Sequence, residues 1–406
     1  MIPLQLAEVD ALLGGRIDAA PWADEITGVQ IDSRRVSDGD LFVAVNGGAD
    51  FVKHAFARGA AAVSVPDDAF AALAALGRTV RQRASARVVG ITGSTGKTST
   101  KDILAALCAS SANTVAAEAS YNNELGVPLT LCRLEPDTEV CILELAMRGF
   151  GQIAYLCELA RPEIGVVTNV GPVHLELVES VEGVVRAKSE LVAALPGDGT
   201  AIVPAEFAVA RHDIRVIRVG EPQATVAGTR TIVQGVSFNF TGRHQAANAA
   251  AALAALDALG LPRPDSVDVE FSRWRGEERP LPGGGLLIND AYNANPISMR
   301  AALEHLVVRA EGRPTIAVLG DMAELGPDAP RYHREIGTAA RELGVERIVA
   351  VGELAESYDA DAHAQTAAEA VPLARELIRP GDCVLVKGSR AVGLETVAEA
   401  LAAVSA

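Results

Sequence analysis

The stretch Val88–Leu107 reads VVGITGSTGKTSTKDILAAL. Its apolar run Val88, Val89 and Ile91 predicts a strand. Thr92-Gly93-Ser94-Thr95-Gly96 predicts a glycine-rich turn, and Ile103, Leu104 and Leu107 recur at helical spacing. Strand, turn and helix around Gly96-Lys97-Thr98 are the arrangement of a phosphate loop. Glycines let backbone N–H groups converge on phosphate oxygens, and the helix aims its positive end at the same anion. Lys97 can reach terminal phosphates and the Thr98 hydroxyl can ligate Mg²⁺. Gly93, Ser94, Thr95, Gly96, Lys97, Thr98 and Ser99 are therefore the candidate phosphate contacts. Ile91 stands where the general pattern G-x-x-x-x-G-K-[ST] has its first glycine, so the turn starts late, at Gly93.

Outward from this loop, 406 residues are too many for one ordinary core, and two or three domains are expected. The net charge of −16 argues against a protein that coats nucleic acid or an anionic membrane. Cys108, Cys132, Cys141, Cys157 and Cys383 form no C-x-x-C pair and read as reduced core thiols. The N-terminus lacks the pattern of a secretory leader. The most apolar stretch, Ala246–Leu259, is broken by Asn248 and Asp257, so no membrane insertion is expected. These features predict a cytoplasmic protein.

The pattern divides into three α/β units with expected boundaries 1–82, 83–282 and 283–406. The first is small. Its polar segment Asp32-Ser33-Arg34 reads, taken alone, as a solvated turn. The second alternates strand and helix, as a parallel sheet requires. In it Val140–Leu145 is a buried strand carrying Glu144, a carboxylate that must be paired or bind a metal. Ile164–Asn169 is a strand that leads to His174, a polar group at a strand end. The helix Val181–Leu195 carries Lys188, which sequence alone leaves as a solvated charge. Pro280–Gly285 is a hinge candidate, and beyond it a doubly wound, Rossmann-like unit has polar clusters at three strand ends.

In this order the blocks ITGSTGKTST (91–100), YNNELGVPLTL (121–131), ELAMRGFGQIAYL (144–156), VTNVGPVHLE (167–176), RAKSEL (186–191), GRHQAANAAAA (242–252), INDAYNANPISM (288–299), GDMAELG (320–326) and VKGSR (386–390) resemble the ATP-dependent Mur ligases of peptidoglycan synthesis. The resemblance spans essentially the whole chain. AYNAN and GDMAELG favour the branch that adds D-alanyl-D-alanine to UDP-N-acetylmuramoyl-tripeptide over branches that add one amino acid.

The resemblance implies a UDP-sugar-binding first domain, a central ATPase and a C-terminal ligase domain, with ATP and Mg²⁺ as cofactors. It implies that Asp32, Ser33 and Arg34 contact the nucleotide sugar, and that Asn122 and Asn123 line the substrate and phosphates. Glu144 and His174 match metal ligands, joined by Thr98 and by Lys188 in carbamylated form. Lys97, Lys188 and His174 are the implied catalytic set. Asn248, Arg275 and Asp290 match positions around the nucleotide, while Tyr292, Asn293, Asn295 and Lys387 face the cleft. The expected partners are the UDP-muramoyl tripeptide and D-Ala-D-Ala, with no nucleic acid, acting on a monomer. The alternatives are another amino-acid ligase of the same superfamily, such as a folylpolyglutamate synthase or a Mur ligase adding a different amino acid, and a non-catalytic nucleotide-binding relative.

Overall fold

The phosphate-loop strand Arg87–Thr92 lies inside a six-stranded sheet in which every pairing is parallel. The structure is a computed structural model that describes residues 1–13 and 16–403. Across the sheet the strands run 215–219, 200–204, 164–167, 87–92, 140–144 and 114–116. Thus Arg87–Thr92 sits between the strand ending in Glu144 and the strand ending at Val167. The chain moves to one side of this strand first and to the other later, so ligand-binding loops gather at its carboxyl end. All five residues of Val140–Glu144 are buried, as a sheet covered on both faces requires.

The central sheet and the first unit share one hydrophobic core. Leu4, Val9, Leu41, Leu73 and Leu76 belong to the same cluster as Val88, Val127 and Leu143. The helix Ala69–Arg83, which the sequence pattern left undrawn, makes this junction. A Cβ at its Gly77 would stand 2.9 Å from the Cα of Pro128, so the missing side chain lets the helix lie against the helix Gly126–Leu131. Asp68 caps the helix by accepting from the N–H groups of Phe70 and Ala71.

Residues 224–267 add a four-stranded sheet, placed in the chain between the central strand 215–219 and the last unit. Its neighbour is the long alanine-rich helix Arg243–Leu259, packed against the phosphate-loop helix Lys97–Cys108. Small side chains allow that close approach.

The C-terminal sheet runs 277–281, 285–289, 383–387, 315–320, 347–351 and 362–364, parallel except for its first strand. The sequence read Pro280–Gly285 as a hinge, and the structure corrects this. Glu277–Leu281 and Gly285–Asn289 form an antiparallel hairpin, with Pro280 opposite Leu286. Pro280 cannot donate to a ladder, and it sits on the sheet's edge strand where it need not. The connection between sheets therefore lies earlier, over residues 271–276, where Trp274 (φ 61°) and Gly276 (φ 73°) have left-handed backbone. No described helix is long and apolar enough to cross a membrane.

Candidate active site

The loop after Thr92 ends at Gly96, whose left-handed backbone (φ 77°) forms the N-cap of the helix Lys97–Cys108. A side chain at Gly96 would meet Asn248 Oδ1 at 2.2 Å, and one at Gly93 would meet Thr168 Oγ1 at 1.8 Å. Glycine is required at both positions because other residues close in on the loop.

Two of those neighbours were assigned no role from sequence. Asn169 accepts from the Thr95 N–H (2.9 Å) and donates to Thr95 Oγ1 (2.5 Å). Thr168 donates to the Thr95 carbonyl (2.5 Å). Ser94 Oγ lies 3.2 Å from the Gly171 carbonyl and 3.0 Å from its N–H, donating to the first and accepting from the second. The loop is thus held open by the segment following the adjacent strand. A polar Thr-Asn pair directly after an apolar strand was the available signal.

Lys97 Nζ donates back to the Gly93 carbonyl at 2.8 Å. Burial pushes its pKa down; Glu144 opposes that shift and Arg275 reinforces it. Glu144 is itself buried, and both its oxygens have neutral donors: the Thr98 hydroxyl at 2.7 Å and Asn122 Nδ2 at 2.8 Å. The structural ion pair allowed by the sequence is not formed among the described residues. Thr98, Asn122 and Glu144, from three separate elements, converge beside Lys97. Asn123 acts locally as well, with its Oδ1 accepting from the Gly126 N–H at 3.0 Å at the start of a helix.

Lys188 departs most from the reading of the residues alone. It is buried, on the same side of its helix as Val184, Ala187 and Leu191, and has no hydrogen-bond or ion-pair partner among the described residues. Burial pushes its pKa well below the ordinary lysine value, and the charge of Lys97 adds to the effect. Burial therefore favours the neutral amine over the ammonium at this position.

His174 has left-handed backbone (φ 53°) at the start of a one-turn helix. Its Nδ1 meets Glu324 Oε2 of the third unit in a short contact, and the Gly326 N–H donates to Glu176 Oε1 at 3.2 Å beside it. The described residues contain no group of three or more His, Cys, Asp or Glu side chains arranged to hold a metal. Oxygen donors nevertheless meet the needs of Mg²⁺ at Thr98 and Glu144. That ion is bound through one or two carboxylates, with phosphates and water completing its shell.

The third unit closes the cleft. Lys387 Nζ donates to Asp290 Oδ2 at 2.6 Å and to the Asn293 carbonyl at 2.8 Å. Asn295 caps the helix Pro296–Ala310 through a reciprocal pair with Ser298, and its Nδ2 reaches the Ser94 carbonyl of the phosphate loop at 3.5 Å. Arg275 stacks over Tyr292, 4.2 Å from the ring centre, and its buried Nε has no partner. Tyr292 in turn contacts Ser120 through its hydroxyl. Asn248 bonds Gln245 at 2.9 Å beside Gly96. Near them, burial foremost and His305 next bring the pKa of His244 down to about 4.

These residues line a cleft of about 1140 Å³ that runs from Ser94–Ser99 past Asn122, Asn123, Glu144 and His174 to Asn248, Arg275, Asp290, Tyr292, Asn293, Asn295 and Lys387. Lys188, Asp32, Ser33 and Arg34 are not part of its wall. Asp32 instead pairs with Arg34, whose guanidinium holds the carboxyl near 2, and Ser33 bonds His54 at 2.9 Å.

Family models match three consecutive parts of the chain. They are the Mur ligase family catalytic domain over residues 25–107, the Mur ligase middle domain over 91–256, and the Mur ligase glutamate ligase domain over 274–390. The UDP-N-acetylmuramoyl-tripeptide--D-alanyl-D-alanine ligase of Mycobacterium bovis is 36% identical over 99% of this chain and 98% of its own length. The chain belongs to the Mur ligase family. Among solved Mur ligases, MurF from Acinetobacter baumannii superposes with a TM-score of 0.85 at 30% identity, covering 99% of each chain. The MurF ligase from Thermotoga maritima, solved in complex with ADP, gives 0.80 at 26% identity over 93% of this chain and 97% of that one.

Proposed function

We propose that this Mur ligase joins D-alanyl-D-alanine to UDP-N-acetylmuramoyl-tripeptide at the expense of ATP. The observation that carries this reading is full-length similarity to ligases named for that reaction, together with a phosphate loop whose Lys97, Thr98 and Glu144 are in bonding register. The C-terminal carboxylate of the tripeptide attacks the γ-phosphorus of ATP, forming an acyl phosphate and releasing ADP. The dipeptide amine then attacks the acyl carbon, forms the amide and expels phosphate, with one proton lost from nitrogen. Phosphorylation is needed because oxide is a poor leaving group from a carboxylate.

Catalysis then consists mainly of alignment and stabilisation of charge. Lys97 exchanges its bond to the Gly93 carbonyl for the β- and γ-phosphates, and the loop N–H groups take the remaining oxygens. Thr98 and Glu144 would hold Mg²⁺, with His174 added on release from Glu324, and the ion would supply positive charge against the transferring phosphoryl group. Lys188 is suited to carbamylation. Its amine Nζ, in the uncharged form that burial favours, adds to the carbon of CO₂ and loses a proton, turning a neutral buried group into an anion fit to face a cation. Asp32, Ser33 and Arg34 bind the nucleotide sugar away from the cleft wall. Residues 1–82, 83–282 and 283–406 serve as UDP-sugar, ATPase and ligase domains, with the last sheet recruiting Glu277–Leu281 from the middle segment. The chain acts as a cytoplasmic monomer.

Phosphate release with a panel of amine acceptors tests the assignment. Release should require the UDP-muramoyl tripeptide and D-Ala-D-Ala together, and Lys97→Ala should abolish it. A clear preference for glutamate or another single amino acid would overturn the acceptor, and near-normal turnover of Lys97→Ala would overturn the site.

A further inference from the structure

The helix that opens at Lys97 carries a second pair of charges one turn further on. Lys101 Nζ and Asp102 Oδ1 are 2.8 Å apart, the lysine is buried and the aspartate side chain is 9% exposed, and neither lines the cleft. Each grips a different segment. Lys101 Nζ donates to the Ala117 carbonyl (2.8 Å) and to the Ala119 carbonyl (3.0 Å). Asp102 Oδ2 accepts from the Ser272 N–H at 2.9 Å, and Oδ1 accepts from its hydroxyl at 3.3 Å.

Both segments lead directly into the site. Beyond Ala119 come Ser120, in contact with Tyr292, and Asn122, bonded to Glu144. Beyond Ser272 come Trp274, whose carbonyl accepts from the Tyr292 N–H at 3.3 Å, and Arg275, stacked on Tyr292. The contacts close a ring: Lys101, residues 117–120, Tyr292, residues 274–275, Ser272 and Asp102. The ring joins the phosphate-loop helix to the substrate-side loop and to the connection into the third unit.

We propose that Lys101 and Asp102 are a positioning pair for ligation, holding Asn122 and Arg275 against the phosphate site. The proposal rests on the reading that nucleotide phosphates occupy the loop at Lys97. A buried ion pair adds little net stability over apolar residues of the same size, and its attested use is to specify one arrangement among several. Here the arrangement has a need for it. Residues 271–276 cross between sheets with left-handed backbone at two positions, and Ala119 (φ 46°) is also left-handed. Beyond Ala117, whose N–H still bonds the Ile142 carbonyl at 3.0 Å, neither segment is paired in a sheet.

The test uses the full chain with Trp22→Phe, which leaves Trp274 as its only tryptophan. Trp22 is exposed and remote from the cleft. Asp102→Ala should raise acrylamide quenching of Trp274 and lower kcat on the order of tenfold, with the KM for ATP within about threefold of wild type. Combined with Arg275→Met it should cost little further, because Asp102 acts through that arginine while Lys101 keeps its own grip on the Asn122 segment. Asp102→Asn keeps the shape and one acceptor for Ser272, and should fall between wild type and the alanine variant. Unchanged quenching, or losses that multiply in the double variant, would overturn the proposal. If the alanine variant does not fold, an asparagine variant identical to wild type in both readouts does the same. Quenching needs no turnover, so a wrong acceptor assignment leaves this test intact.

Discussion

Lys188 and Lys387 are each 2% exposed, yet their surroundings give them opposite chemistry. Lys387, at the end of a strand in the third unit, meets a carboxylate and a carbonyl. Lys188, on a helix of the central unit, meets no partner among the described residues and another lysine's field. A buried ammonium must be compensated or must lose its charge. The third unit takes the first course and builds a fixed strut. In the central unit nothing among the described residues compensates the ammonium, and burial favours the uncharged amine. Burial alone therefore says little about a lysine; the partner decides whether it is architecture or chemistry.

The contrast can be broken by substitution. Lys188→Ala should reduce turnover by about 10³-fold, the scale expected when a group that stabilises charge in the transition state is removed. Short-chain carboxylic acids should restore part of it, and assays with and without acetate would show this. Absence of rescue would remove carbamylation from the account while leaving the ATPase assignment standing. Lys387→Met should destabilise the fold by about 2 kcal/mol in urea, because it strands Asp290, a carboxylate that water only partly reaches.

Lys188→Met should do the reverse. With no ion pair to lose and a desolvation cost removed, stability should hold or rise by about 1 kcal/mol while activity is lost. A further, smaller difference lies in pH. Between the depressed pKa of Lys188 and its ordinary 10.5, the unfolded chain binds a proton that the folded chain does not. Wild-type stability should therefore gain on that of Lys188→Met as pH rises through this window. Parallel urea curves at several alkaline values measure it, and a flat difference would mean that Lys188 is charged in the fold.

The phosphate loop and the strand alternation were legible in the sequence because each is a local pattern with a physical reading. The side of the helix on which Lys188 lies is legible too, though two signals in its sequence point opposite ways. Val184, Ala187 and Leu191 at helical spacing put Lys188 on the apolar stripe, while Arg186 and Glu190 drew it toward solvent. Other features depend on contacts between residues far apart in the chain. Thr168 and Asn169 brace Thr95 only because their strand lies beside Arg87–Thr92 in the sheet. Glu324 meets His174 across 150 positions, and no spacing rule anticipates that. The edge hairpin was misread for a related reason. Proline with glycine marks a break in the chain but not whether the chain turns back on itself or leaves for another domain.

That hairpin also bears on how the protein behaves when crowded. An open sheet edge is a template on which a second molecule's strand can grow. Here the outermost strand presents Glu277, Glu278, Arg279 and Pro280 in succession, three charges and a residue with no N–H to offer. The proline that reads as a joint between domains is, in the fold, part of an edge poorly suited to adding a second molecule's strand.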